Sequence, residues 1–262
     1  MDPMVVCVTS LATALSEMAA WQDGADVIEE TGALFVRGKS RFPTPYSNAA
    51  LFLDEPPSPG RALEKSNRVF PDRRYVLWDR EAGGGELGRY AAAHGFIPLD
   101  ELPAMVIDAP LGAAPKSDVV IRPVTNAAEL SDFVGASLKA YAEFGLPPKV
   151  ADSLFARPAA VIASCASLVV AMVDGKPAGG ALSIVNVAQG VGGVYWVGTV
   201  PAARRRGVGE AVARFVTHAA FERGARRVTL EASRGGEPIY LRMGYRQVGR
   251  YARLLSPPLD PT

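Results

Sequence analysis

The sequence predicts an α/β fold, a mixed sheet covered by helices. Two observations carry it. From residue 118 onward, β-rich runs alternate with helix-period stretches in the order β-α-β-β-β-α-β-α-β-β. The 262-residue chain is also 48% apolar and 21% charged, which supports a real core and excludes wholesale disorder or a coiled coil.

Each element of the second half has its own reason. Residues 119–124 (VVIRPV) are a β-branched run and read as a strand. Residues 127–141 read as a helix, with Thr125 or Asn126 as its cap. Residues 168–173 are a strand, and Asp174-Gly175-Lys176-Pro177 turns it into a second one over 179–187. Residues 194–200 form a third. Residues 207–223 are a helix with an apolar stripe at Val208, Ala211, Val212, Phe215 and Ala219, closed by Gly224. A strand at 227–231, a short helix at 237–243 and a last hairpin at 245–255 complete the order.

The first half echoes the second. Residues 74–78, Gly84-Gly85-Glu86 and His94-Gly95-Phe96 resemble residues 227–231, Gly235-Gly236-Glu237 and Met243-Gly244-Tyr245. The runs 102–106 and 251–255 then follow in the corresponding places. This self-similarity predicts a duplicated unit. Residues 55–60 read as a loop, residues 109–116 as a Pro/Gly/Ala-rich linker and residues 256–261 as a frayed tail. The expected division is 1–108, a linker at 109–117, and 118–256.

Charge divides along the same line. Residues 1–116 carry a net −5 and residues 117–262 a net +6, which the formal total of +1 conceals. No window reads as a bilayer span, and Asp2 stands where an export signal would be basic. The two cysteines, Cys7 and Cys165, make neither a disulfide framework nor a metal-ligand spacing. The expectation is a cytoplasmic protein without metal, membrane or nucleic-acid partner.

The chemistry is concentrated in Arg204-Arg205-Arg206-Gly207-Val208-Gly209-Glu210. A strand ends, a basic loop follows, and two glycines open an amphipathic helix. Free N–H groups and the positive end of the helix dipole meet there, which makes an anion site. A dinucleotide fingerprint requires a third glycine where Val212 stands, and a Walker A loop requires Gly-Lys-Ser/Thr. The pattern Arg/Gln-x-x-Gly-x-Gly/Ala fits without departure.

With that loop, the element order and Ile239-Tyr240-Leu241-Arg242-Met243-Gly244-Tyr245, residues 118–255 resemble the GNAT acetyltransferase superfamily. The resemblance implies a GNAT fold, tandem with a degenerate first copy, and acetyl-CoA as acyl donor. It implies the pyrophosphate on the backbone of Arg204, Arg205, Arg206, Gly207, Val208, Gly209 and Glu210, with the pantetheine along Val197, Gly198 and Thr199. Gly198 suits a bulge in that strand. An amide near Val197 would polarise the thioester carbonyl.

Tyr240 takes the place of the acid that protonates the departing thiolate, and a buried anchor for the short helix is its other reading. Ser233 holds a polar position near the donor arm. Tyr141 and Phe144 fall on the acceptor side, with core packing equally open. Glu143 and Glu231 are the nearest acids for a general base, each also readable as a structural or solvated acid. His94 and Cys165 read as structural, and His218 as an exposed residue on the polar side of its helix.

The acceptor is an amine of a small molecule or a peptide. A non-catalytic acyl-CoA-binding or regulatory module is the second reading, and DNA binding by the arginine cluster the third. The first half lacks the loop, and Ala91 stands where Tyr240 maps, with Tyr90 one place off. Three roles stay open for it: structural support, a wall for the acceptor site, or a dimer surface.

Overall fold

A computed structural model describes residues 2–55, 58–81, 85–112 and 118–259. Residues 56–57 of the expected loop, 82–84 of the repeat, 113–117 of the linker and 260–262 of the tail lie outside the described residues. The same holds for the Phe144 side chain.

The first half runs α1 (Pro3–Ala20), β1 (Asp26–Glu30), β2 (Ala33–Arg37), β3 (Asn48–Phe52), α2 (Pro59–Val69), β4 (Val76–Asp79), α3 (Glu86–Ala93) and β5 (Ile97–Ile107). The second runs β6 (Val120–Pro123), α4 (Ala127–Tyr141), α5 (Pro148–Leu154), α6 (Pro158–Ile162), β7 (Ser167–Val173), β8 (Lys176–Asn186) and β9 (Val191–Thr199). It ends with α7 (Val208–Glu222), β10 (Arg227–Glu231), α8 (Glu237–Met243) and β11 (Arg246–Leu255). Local chemistry sets several of these bounds. Asn126 caps α4 by accepting from the Ala128 and Glu129 N–H groups. Gly224 and Gly244, both left-handed, stop α7 and α8.

Among the described residues all eleven strands share one sheet, ordered β1-β2-β3-β4-β11-β5-β10-β9-β8-β7-β6. The duplication is visible in this order. β3 and β4 are parallel, as are β9 and β10, each pair followed by a short helix and a closing strand. The closing strands are exchanged. β5 of the first half lies against β10, and β11 of the second lies against β4, with β5 and β11 antiparallel between them.

Two expectations are corrected here. Residues 245–255 do not form a hairpin, because β11 is a single strand paired along both β4 and β5. A register shift at Gln247/Gly249 bends it without turning it. The buried face of α7 is Val208, Val212, Ala213, Val216 and Ala220, while Phe215 is exposed. His218 on that helix is half-buried.

α1 also crosses between the halves, since it packs on β8 and β9. Asp2 caps it and Pro3 starts it. Ser10 shares a 2.9 Å hydrogen bond with the Tyr195 hydroxyl, and the Asn186 amide donates to Thr13 Oγ1. Against the sequence reading, α1 has the length and apolarity to cross a bilayer by composition, with half of that stretch buried inside the fold. Gly193 permits its close approach, since a Cβ there would overlap Ser10 Oγ and the Tyr195 hydroxyl. Gly193→Ala should therefore destabilise the protein by about 1–3 kcal/mol through overpacking. Denaturant titration checks this, and an unchanged midpoint refutes it.

Candidate active site

β9 and β10 pair only from Val191/Arg227 to Val194/Leu230. Beyond Val194, β9 continues to Thr199 without β10, so the two strands splay into a cleft. On its other side β9 stays paired to β8, with a bulge between the pairs Leu182/Tyr195 and Gly180/Gly198. Trp196 and Val197 are the inserted pair, opposite Ala181.

The bulge therefore precedes the position predicted for it. Trp196, not Gly198, carries the left-handed backbone, at φ +55°. This conformation is strained for a bulky residue, and its surroundings must hold it there. Tyr141, Phe155 and Tyr46 supply the hold, with ring centroids 5.2, 5.2 and 5.9 Å from the Trp196 ring. Gly198 serves close packing instead, since its Cβ would lie 2.9 Å from Ala140 Cβ.

The loop after β9 reaches α7 through left-handed residues Arg205 and Gly207, at φ +62° and +78°. Gly207 is the N-cap and supplies no side-chain acceptor. The first intrahelical bond runs from the Ala211 N–H to the Gly207 carbonyl, at 3.0 Å. The amides of Val208, Gly209 and Glu210 thus open the helix without carbonyls four residues back inside it, the arrangement that receives a phosphate. Thr199 Oγ1 stands 3.4 Å from where a Gly209 Cβ would be, so the strand end and first turn share one surface.

The arginines contribute less than the sequence suggests. Arg204 is held bidentately by Glu143, and Arg206 by Asp174 at 2.6 Å and Asp118 at 3.1 Å. Glu143 is thereby a loop partner rather than a free base. Glu210 is tied to Arg214 at 2.9 Å. What this helix start leaves free to bond is therefore mainly backbone N–H.

Two phenols border the cleft. Tyr141, at the end of α4, donates to the Val197 carbonyl at 3.1 Å and so fixes the bulge. Tyr240 on α8 is buried, edge-on to Tyr245 at 5.9 Å. Burial pushes its phenol well above the ordinary value, and the Tyr141 and Tyr245 phenols push the same way. Ser233 is exposed and serves the turn into α8, its oxygens accepting from the Gly236 and Glu237 N–H groups.

Glu231 is the second acid that the sequence offers. It ends β10, one residue past the last β9 pair. Its Oε1 is sealed from solvent without a hydrogen-bond partner. Burial pushes its carboxyl up to about 8, with Arg253 pulling the other way.

The corresponding place in the first half is different. A cavity of about 170 Å³ sits beyond the last β3/β4 pair, Leu51/Trp78, at the start of α2. Its lining includes Glu55, Asp79, Glu81 and Glu86 against Arg80, which opposes a polyanion. Ala91 is buried there and Tyr90 points outward, stacked on His94.

Residues 137–245 match the model of the acetyltransferase (GNAT) family. Over that stretch the chain is similar to a GNAT domain. No curated protein matches the chain. Among solved structures it resembles a GCN5-related N-acetyltransferase from Kribbella flavida at 22% identity and TM-score 0.71, covering 99% of this chain and 97% of that one. A GCN5-related N-acetyltransferase from Sphaerobacter thermophilus follows at 19% and 0.58, covering 100% and 96%. A tandem GNAT protein from the clavulanic acid biosynthesis pathway aligns at 13% and 0.55, covering 96% of each chain. At these identities the likeness is one of fold. It extends over both halves, and the stretch that matches the family model contains β9 and β10.

Proposed function

We propose that this protein transfers an acetyl group from acetyl-CoA to an amine by direct attack on the thioester. The observation that carries this is the splay of β9 from β10 beside the uncapped start of α7. In this reading the pyrophosphate lies on the amides of residues 207–210, and the pantetheine runs along Val197, Gly198 and Thr199. Acetyl-CoA supplies an activated acyl carbon and a thiolate leaving group. The bulge turns backbone near Val197 toward the acyl oxygen, where an amide stabilises developing charge. Tyr240 gives a proton to the departing sulfur. Metal chemistry forms no part of the scheme, and the cytoplasm is its proposed compartment.

Calorimetry with CoA tests the donor site. The full-length protein should bind CoA saturably at submillimolar concentration. Gly207→Glu should weaken it by about 100-fold, roughly 2.7 kcal/mol, because a carboxylate would meet the pyrophosphate. Gly207→Ala imposes the same backbone strain without the charge and should lose less. No binding by the parent protein, or equal binding by Gly207→Glu, ends the donor assignment.

A further inference from the structure

We propose that the cavity at the end of β3 and β4 is a second binding site, and that it takes a small organic cation, an ammonium on a short apolar stem. The site lies in the first half and is independent of the acetyl-transfer reading.

Topology marks the place. The crevice beyond the carboxyl ends of parallel strands is where α/β sheets bind ligands. The cavity lies beyond the last β3/β4 pair, Leu51/Trp78, as the cleft lies beyond Val194/Leu230. The first half has closed this place to anions. α2 begins with Pro59, which has no N–H, and Ser58 accepts from the Arg61 N–H. α7 has neither device.

Carboxylates take over instead. Asp79 lines the cavity, one residue past the last β3/β4 pair, and is only 4% exposed. Its Oδ1 accepts from the Glu81 N–H at 3.1 Å. Its Oδ2 is sealed from solvent, and no donor meets it in hydrogen-bonding geometry. Gly85 and Gly88 flank that oxygen with bare backbone, since a Cβ at either would lie 2.9 or 2.7 Å from it. The terminal torsion of an aspartate is broad, so a cation in the cavity can draw Oδ2 toward it. Burial raises the Asp79 pKa against the pull of the Glu81 and Gly88 backbone, as befits a carboxylate short of compensating charge.

Glu55, Glu81 and Glu86 add three exposed carboxylates to the lining. Arg80 stands against these four and donates to the Leu53 carbonyl at 3.1 Å. Among the described residues none of the four carboxylates has an ion-pair partner. The site therefore lacks positive charge, and an ammonium brings that charge with up to three donors.

The walls decide which cation. Phe52, Pro59, Trp78 and Leu87 are apolar, and a hydrated metal ion gains nothing from them. Among the described residues no three acids, histidines or cysteines gather as metal ligands. A cavity of about 150 Å³ holds benzene, so one of about 170 Å³ admits a stem of about four carbons with its ammonium.

n-Butylamine is the probe, titrated into the full-length protein while the three indole N–H signals are followed by NMR. Trp→Phe variants assign them. Trp78 lines this cavity, Trp196 stands at the cleft bulge, and Trp21 stacks on Phe155. The amine should shift the Trp78 signal saturably and leave Trp21 unmoved. n-Butanol and butyrate, which share the stem without the positive charge, should bind at least tenfold more weakly. Asp79→Asn should weaken the amine at least tenfold. The double variant Glu55→Gln/Glu86→Gln changes exposed residues only, so it keeps the fold, and should weaken the amine at least threefold. An unmoved Trp78 signal, or a shift confined to Trp196, overturns the proposal. So does unchanged affinity in the double variant, butanol binding as tightly as butylamine, or a Trp78 shift given by magnesium and not by the amine.

Discussion

Residues 118–259, produced without the first half, will not form a monomeric CoA-binding domain. The reason lies in the exchanged strands. β10 would lose β5, which pairs with it from Val228/Ile107 to Glu231/Ala104. β11 would lose both neighbours, β5 along its whole length and β4 from Ala252/Asp79 to Leu255/Val76. What remains is an open edge and a detached strand, the surfaces that promote aggregation.

The face of β8 and β9 would also lose α1, whose Cys7, Leu11 and Leu15 are fully buried. Each large apolar side chain uncovered costs about 1.5–3 kcal/mol. The three together, at about 4.5–9 kcal/mol, are comparable with the roughly 5–15 kcal/mol of net stability of a typical protein. The expected thermal scan by circular dichroism has no cooperative transition, and light scattering reports association. Supplying residues 1–112 in trans should restore a cooperative species that binds CoA. A monomeric fragment with a sharp transition and the CoA affinity of the full chain would show that the exchange is dispensable.

The sequence exposed what local chemistry decides. α4 and α8 fall where cap and glycine place them, and β10 occupies the expected residues 227–231. The loop at 204–209 does lead into the start of a helix, as its two glycines predict. What stayed hidden depends on distant partners. Trp196 gives no local sign of φ +55°, since that strain is sustained by rings from α4, the residue 148–158 region and the first half. Gly198 drew the bulge assignment because glycine is the usual tolerant residue, yet its small size serves Ala140.

Glu231 is hidden in the same way. An acid at a strand end reads as solvated, and only the assembled fold seals its Oε1 from solvent. The three arginines mislead in the opposite sense. Formal charge counts them all, but Asp118, Asp174 and Glu143 occupy two of them. The −5/+6 split thus describes composition, and two of the three loop arginines already have carboxylate partners.

Tyr240→Phe should lower kcat by about 100-fold while leaving CoA affinity within twofold. The substitution keeps the ring that packs on Tyr245 and against Gly236, so the fold is retained. Only the phenolic proton is lost. Burial and the Tyr141 and Tyr245 phenols hold the Tyr240 pKa above its ordinary value, so the hydroxyl stays protonated through neutral and mildly alkaline pH. The sign follows: kcat of the parent enzyme should show no alkaline fall from phenol ionisation below about pH 10. The defect should also depend on the leaving group. An acyl donor with a more acidic thiol needs less protonation and should narrow the gap between parent and variant. Steady-state kinetics with acetyl-CoA and an activated thioester measure this. An equal defect with both donors would make Tyr240 an anchor of α8 rather than the acid. An unchanged kcat across the pH range would remove it from the chemistry altogether.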